Sequence, residues 1–320
     1  MRPRARLRKV RLIYAGASAL ILSIPATAVA FSGGTTPLPT LAATLAPSLR
    51  AAAVRRHISY GQEVTMTGST SSSAAGQSVW LEFAPSASSS WRALASATVA
   101  PSGRFRLAAP LRQSGIVRVI AATSAGATTA AAIAPSPAVH VAVAAELQVS
   151  ARSLGSLTGQ PIDVRGKLLP AVAARRLLLQ SRLGGGWRTL TSSLTGPRGG
   201  FDLHYLPVGT GQQSLRVRFA GDSKNTAVGE PVGQLIVYTT SVASWYEDAG
   251  GTACGFHAYF GVANKTLPCG TKVEFRDNGR SVTAVVDDRG PFVAGREWDL
   301  NQNTAAALGF DGVATVWSSL

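Results

Sequence analysis

Residues 252–292 read "TACGFHAYFGVANKTLPCGTKVEFRDNGRSVTAVVDDRGPF" and hold both cysteines of the chain, Cys254 and Cys269, among closely spaced turns and short strands. "TKVEFR" and "RSVTAVVDD" alternate apolar with polar residues, the pattern of half-buried strands. Asp277-Asn278-Gly279 between them predicts a tight hairpin, because Asn-Gly readily takes the positive φ angles of a type I′ turn. Further on, "VATVWSS" (313–319) reads as another strand. "NTAAALGF" (303–310) predicts a short helix with Asn301 or Asn303 as N-cap and Gly309 as its stop. Six or so strands with one helix over 241–320 imply a small closed barrel.

Upstream the chain is rich in Ala, Ser and Thr and repeats itself. "YGQEVTMTG" (60–68) matches "TGQPIDVRG" (158–166), and "WRALASATVAPSGRFRL" (91–107) matches "WRTLTSSLTGPRGGFDL" (187–203). A repeat of about 100 residues is too long for a solenoid unit and has the size of a small domain. Period-2 runs broken by turn clusters such as "PSG" and "PRGG" predict short strands. The fold class expected is therefore mainly β: two tandem Ig-like β-sandwich modules, 51–145 and 146–238, followed by the barrel over 241–320. "YTTSVASWY" (238–246) is read as the break that enters the barrel. Trp91 and Trp187 occupy matching places in the repeat and are read as core or hairpin tryptophans, with sugar stacking as the other reading.

The first thirty residues read as a secretory signal: six basic residues (Arg2, Arg4, Arg6, Arg8, Lys9, Arg11), an apolar run from Leu12 to Ile24, then Ala28-Val29-Ala30 as the small-x-small cleavage pattern. The apolar run is short for a bilayer span, which takes about 20 residues. Residues 31–50, rich in Gly, Pro, Thr and Ala, are expected to be an extended linker. Subtracting the six basic residues from the formal +15 leaves a chain near +9. That charge suits either attraction to an anionic wall or plain solubility. Nucleic acid is not an expected partner, because the basic residues are scattered and the chain is read as exported. In an exported chain two cysteines favour one disulfide, worth about 3 kcal/mol for a loop of this length in the chain-entropy model. Two cysteines with only His257 nearby are too few ligands for zinc, so neither a metal nor a cofactor is expected.

The set "ASWY", "TACG", "GVANKTLPCGTKV", "NGRSVTAVVDDRGPF", "GREWDL" and "AAALGFDGVATV" resembles the double-psi β-barrel domain of rare lipoprotein A (RlpA), the septal-ring lytic transglycosylase type, in its two-cysteine form. The resemblance covers 241–320. It implies a six-stranded double-psi barrel with a glycan groove across one face and peptidoglycan glycan strands as the partner, other cell-wall or division proteins being further partners. It also implies a secreted or wall location. The activity it implies is non-hydrolytic cleavage that releases 1,6-anhydro-muramic acid. One carboxyl can serve both proton transfers of that reaction, whereas a hydrolase ordinarily flanks the bond with two.

On this resemblance Asp288 of "DDRGPF" is the catalytic acid/base and Arg289 a substrate ligand. The family's loop after T-A-x-G carries an acidic pair. Here that loop is "FHAYF" (256–260), without a carboxylate, and Asn264 stands where the family has histidine. His257 is then the second catalytic candidate, and Asn264, Tyr246 and Tyr259 are candidate substrate-binding residues. Trp245 is read either as a stacking or as a core residue, and Asp299 as a residue that holds the barrel together. Asp287 would raise the pKa of Asp288 only if both faced one cavity, and neighbours on an extended strand point to opposite faces. The alternative function is a non-catalytic peptidoglycan-binding or wall-loosening module, as in expansins.

Overall fold

The computed structural model describes residues 48–121, 134–150 and 153–320. The signal-peptide reading and all of the 31–50 linker except its last three residues lie outside the described residues. Those three already belong to the fold: Leu49 is buried in the first core and Arg50 opens the first strand.

The first β unit pairs β1 (Arg50–Ala53), β3 (Glu63–Ser69) and β6 (Arg104–Pro110) in one sheet. The second sheet contains β2 (His57–Ser59), β4 (Ser78–Ala84), β5 (Arg92–Thr98), β7 (Gly115–Ala121) and β8 (Val139–Ala144), in the order β2-β8-β7-β4-β5. Alternate residues of both sheets, among them Val64, Met66 and Leu107 on one side and Leu81, Val117 and Val119 on the other, form a shared core.

The second unit repeats this plan. β9 (Glu146–Val149), β11 (Ile162–Leu169) and β14 (Gly200–Tyr205) pair as β1, β3 and β6 do. β10 (Ser153–Leu157), β12 (Arg176–Leu183), β13 (Gly186–Leu194), β15 (Gly211–Phe219) and β16 (Val228–Tyr246) take the places of β2, β4, β5, β7 and β8. The repeat extends to side chains. Arg118 lies 4.0 Å over Trp91 while its Nε donates to Glu82, and Arg216 lies 4.0 Å over Trp187 while its Nε donates to Gln180. One face of each repeated indole is thus covered by a guanidinium, which supports the hairpin reading of both tryptophans. The units are stitched by Asn225, fully buried, whose Nδ2 donates to the carbonyl of Arg112 at 3.1 Å and whose Oδ1 accepts from Arg175.

The expected break at 238–246 is absent. β16 runs unbroken from the second unit into the barrel: residues 228–237 pair with β15, and 239–243 pair with β21 (Ala314–Ser318). The physical reason is that "QLIVYTTSVASWY" (234–246) contains neither Gly nor Pro and is rich in β-branched and aromatic residues, so nothing in it ends a strand. The two bodies therefore share one sheet instead of being joined by a linker.

The barrel is completed by β17 (Gly261–Ala263), β18 (Lys272–Asp277), β19 (Arg280–Asp288) and β20 (Trp298–Asn301). Its order β16-β20-β17-β19-β18-β21 returns to β16, so six strands close, with β16–β20 and β17–β19 parallel. Closure removes free sheet edges. Phe275 and Trp298 meet edge to face at 5.0 Å in its core. The hairpin is as expected: Asp277 pairs with Arg280, and Asn278 and Gly279 take φ 49° and 78°. Helix α1 (Gln302–Leu308) is capped by the Asn301 side chain, which accepts from the Thr304 N–H, and ends on Gly309 in the left-handed region.

Candidate active site

The geometry of the site begins with a bulge. β17 and β19 run parallel with Val262 opposite Val286 and Ala263 opposite Asp288, so Asp287 is an extra residue. A bulge re-aims the side chains next to it. Val286 and Asp287 both turn inward, and Asp288 emerges half-buried at the rim. The two carboxyl groups therefore part, one into the barrel wall and one toward solvent.

Asp287 is fully buried. Its Oδ2 accepts from the Ala258 N–H at 2.8 Å, while Oδ1 has no partner among the described residues. Burial, seconded by the like charge of Asp248, pushes its pKa above the usual carboxylate range, against the pull of backbone N–H donors. The space for the carboxyl comes from Gly261, where a Cβ would stand 2.4 Å from Oδ2.

Asp288 is oriented by two backbone donors on Oδ1, the N–H groups of Ala253 and Arg289, each at 2.8 Å. Its Oδ2 makes no hydrogen bond among the described residues. The loop across the bulge is pinned by main chain as well: the Cys254 N–H donates to the Asp287 carbonyl and the Gly270 N–H to that of Val286. Cys254 and Cys269 are disulfide-bonded, their Cα atoms 5.8 Å apart, which clasps the loop over the site.

Around this centre the expected residues divide. The guanidinium of Arg289 donates to Cys269 Sγ at 3.0 Å and to the Asn264 carbonyl at 3.2 Å, so it braces the clasp while staying partly exposed. Asn264, expected to meet substrate, is instead 1% exposed. Its Oδ1 accepts from the N–H groups of Thr266 and Leu267, so the carboxamide is spent on folding the turn that leads to Pro268. His257 lies half-exposed on the rim, its Nδ1 3.1 Å from the Asp248 carboxylate. Tyr246 is half-buried, and its hydroxyl oxygen lacks a hydrogen-bond partner among the described residues. Burial first, and then the charges of Asp287, Asp288, Asp248 and Asp299, push that hydroxyl far above its ordinary pKa.

Tyr259 is 73% exposed and stands edge-on against Phe260. Trp245 is partly exposed, with its indole N–H on Asp311. Asp299 accepts from the Ser244 hydroxyl at 2.7 Å, a tie between the paired strands β16 and β20.

Three features escaped sequence reasoning. Asp248 supplies a carboxylate beside the loop although "FHAYF" contains none; its only signal was an acid two positions past Tyr246. Asp287 counted as a neighbour of Asp288 and not as a buried acid. Phe292, 85% exposed directly after the Gly290-Pro291 turn, adds an aromatic surface next to the Asp288 motif. Among the described residues no group of three His, Cys, Asp or Glu could hold a metal ion, and no helix is long and apolar enough to cross a membrane.

Residues 238–317 match a protein-family model described as lytic transglycolase. Over 87 residues the chain is 40% identical to a probable endolytic peptidoglycan transglycosylase RlpA of Aquifex aeolicus, covering 24% of this chain and 38% of that protein. It is 39% identical over 85 residues to the endolytic peptidoglycan transglycosylase RlpA of Rickettsia felis, covering 22% and 36% of the two chains. A probable endolytic peptidoglycan transglycosylase RlpA of Treponema pallidum is 39% identical over 85 residues, 24% and 26% of the two chains. The match thus spans well under half the length of each of these relatives.

Proposed function

We propose that this chain, whose C-terminal domain is an RlpA-like double-psi β-barrel, is an exported protein that cleaves peptidoglycan glycan strands by a lytic transglycosylase-like reaction. The observation that carries this reading is Asp288, one carboxyl oxygen clamped by two N–H groups and the other free at an open rim. In the proposed reaction a protonated Asp288 gives its proton to the glycosidic oxygen as the bond to muramic acid C1 breaks. The sugar's own 6-hydroxyl closes on C1, and the carboxylate takes up that hydroxyl's proton, which restores the acid. No water is consumed, so a second flanking carboxylate is not needed. His257, held by Asp248, is proposed as an auxiliary proton carrier or sugar ligand. Tyr246, Tyr259 and Arg289 are proposed to contact the glycan.

The two upstream units are proposed as Ig-like spacers. Their matching strand order supports this, as does the commitment of their repeated tryptophans to arginine stacking. The basic, Ala-rich N-terminal segment is proposed as a cleaved secretory signal that places the protein at the wall.

A second reading, glycan binding or wall loosening without cleavage, is favoured by the exposed rings of Tyr259 and Phe292 beside a single available carboxylate. Incubation with glycan strands stripped of stem peptides separates the two. Anhydro-muramyl products that are lost in Asp288→Asn support cleavage. Sacculus binding without any product refutes cleavage in favour of the second reading.

A further inference from the structure

Where the second unit meets the barrel, β10 and β16 face the 277–280 hairpin and β21 across two adjoining clefts of about 390 and 280 Å³. Arg276 and Gly155 line both. Trp317, Asp277 and Asn278 border the larger cleft, and Gln234, Glu274 and Tyr238 the smaller. The clefts are a product of the unbroken β16, which fixes the unit against the barrel end at this seam.

Arg276 is the feature that needs explaining. Four arginines in the described residues lie over aromatic rings: Arg118, Arg175, Arg216 and Arg276. The first three also donate to a neighbouring side chain: Glu82, Asp222 and Gln180 respectively. Arg276, half-buried and 5.7 Å from the Trp317 ring, makes no such bond among the described residues. A Cβ on Gly155 would stand 2.9 Å from its Nη1, so the missing side chain there gives the guanidinium room to lie against β10. Its five N–H donors thus lie beside an indole, two carboxylates and two carboxamides without a hydrogen bond to any of them among the described residues.

We propose that this seam is a binding subsite for a neutral, hydroxyl-rich glycan, distinct from the rim of Asp288. Trp317, flanked by Arg276 at 5.7 Å and tilted against Tyr238 at 5.8 Å, is still half-exposed and offers that exposed part of its ring to the apolar face of a pyranose. The guanidinium fork of Arg276 donates to two adjacent hydroxyls, and Asp277 accepts from one of them. Glu274 and Asp277 offset the positive charges of Arg276 and of Arg280 across the hairpin, so the seam has no net charge to draw a phosphorylated or carboxylated sugar. A neutral sugar, donor and acceptor at every hydroxyl, satisfies both signs. β19 begins at this seam with Arg280 and ends at Asp288, so at about 3.3 Å per residue the two sites lie roughly 26 Å apart. A glycan engaged at both would be held by two contacts.

The test uses the full chain carrying Asp288→Asn, so that no substrate is consumed, and follows binding of the neutral N-acetylglucosamine tetramer by NMR titration. Shifts of the Trp317 indole and Asn278 amide signals that saturate are expected. Arg276→Gln should weaken that binding by on the order of tenfold, the loss of charge-assisted bonds, and Gly155→Val, which crowds the guanidinium, should weaken it as well. Tyr259→Ala, at the other rim, should leave the seam signals unchanged. Melting curves confirm that each variant is folded, and Arg276→Gln, a change at a partly exposed side chain, carries the test should Gly155→Val unfold. Absence of saturable seam shifts, unchanged affinity in folded Arg276→Gln, or preference for a uronic-acid oligomer would each overturn the proposal. None of these outcomes depends on whether Asp288 cleaves a bond.

Discussion

Gly261 and Asp287 form a lock that can be measured. In Gly261→Ala the new methyl would stand 2.4 Å from Asp287 Oδ2 and 2.7 Å from Oδ1, whereas ordinary contact starts at 3.4 Å. The carboxyl must therefore retreat by about 1 Å, the shortfall between those distances. Being fully buried, it can retreat only by straining its neighbours and drawing Oδ2 away from the Ala258 N–H, now 2.8 Å distant. Overpacking costs about 1–3 kcal/mol and an unpaired buried donor about 1–3 kcal/mol. A loss near 3 kcal/mol, or roughly 6–12 °C in melting temperature for a body of this size, is expected. In an Asp287→Ala background the obstructing oxygens are gone, and the same Gly261→Ala change should cost less than about 0.5 kcal/mol. The double-mutant cycle, run by urea denaturation of all four proteins, should thus return a coupling of about 2–3 kcal/mol. Equal costs in both backgrounds would refute the claim that Gly261 exists to house the carboxyl.

Burial raises the folded-state pKa of Asp287 above its unfolded value, so its contribution to stability is complete at low pH and is lost as pH rises through the folded value. Urea midpoints of the wild type relative to Asp287→Asn should accordingly fall from about pH 4 upward and then level off; parallel curves would contradict the assignment. Breaking the Cys254–Cys269 clasp in Cys254→Ser should cost about 3 kcal/mol, as expected for its 15-residue separation, and melting with and without reductant checks it. Asn264→Ala should lose about 1 kcal/mol of stability by freeing the Thr266 and Leu267 N–H groups, with sacculus binding unchanged; a binding loss without destabilisation would restore Asn264 as a ligand. If Asp288 is the acid/base, Asp288→Asn should lower product formation from denuded strands by at least about 100-fold while the fold survives.

Much of the barrel was legible because it rests on local backbone preference. Asn278-Gly279 can hardly avoid a tight hairpin, Asn301 caps a helix with its own side chain, and Gly309 ends it. These outcomes depend on residues no more than a few positions apart. Alternation over 272–277 and 280–288 likewise marks strands whose two faces see different surroundings. The 96-residue spacing of Trp91 and Trp187 announced two units of one plan, and the structure gives both the same strand order and the same stacked arginine.

The site itself was legible only in outline. Asp288 could be singled out by its motif, but its orientation depends on Ala253, brought alongside from 35 positions upstream. That Asp287 turns inward follows from the bulge against β17, which no local pattern records. Asp248 reaches His257 because the clasped loop folds back over the strand end, so a carboxylate missing from the loop is supplied from outside it. Asn264 looked like a ligand because it is polar and stands where the family has histidine; burial and two N–H donors make it part of the turn. Residue types, their period and their turn chemistry are properties of short segments and can be read along the chain. Register between distant strands, the closure of β16 on β21 and the burial of one carboxyl of an adjacent pair arise from contacts across 24 to 79 positions, and these exist only once the barrel has closed.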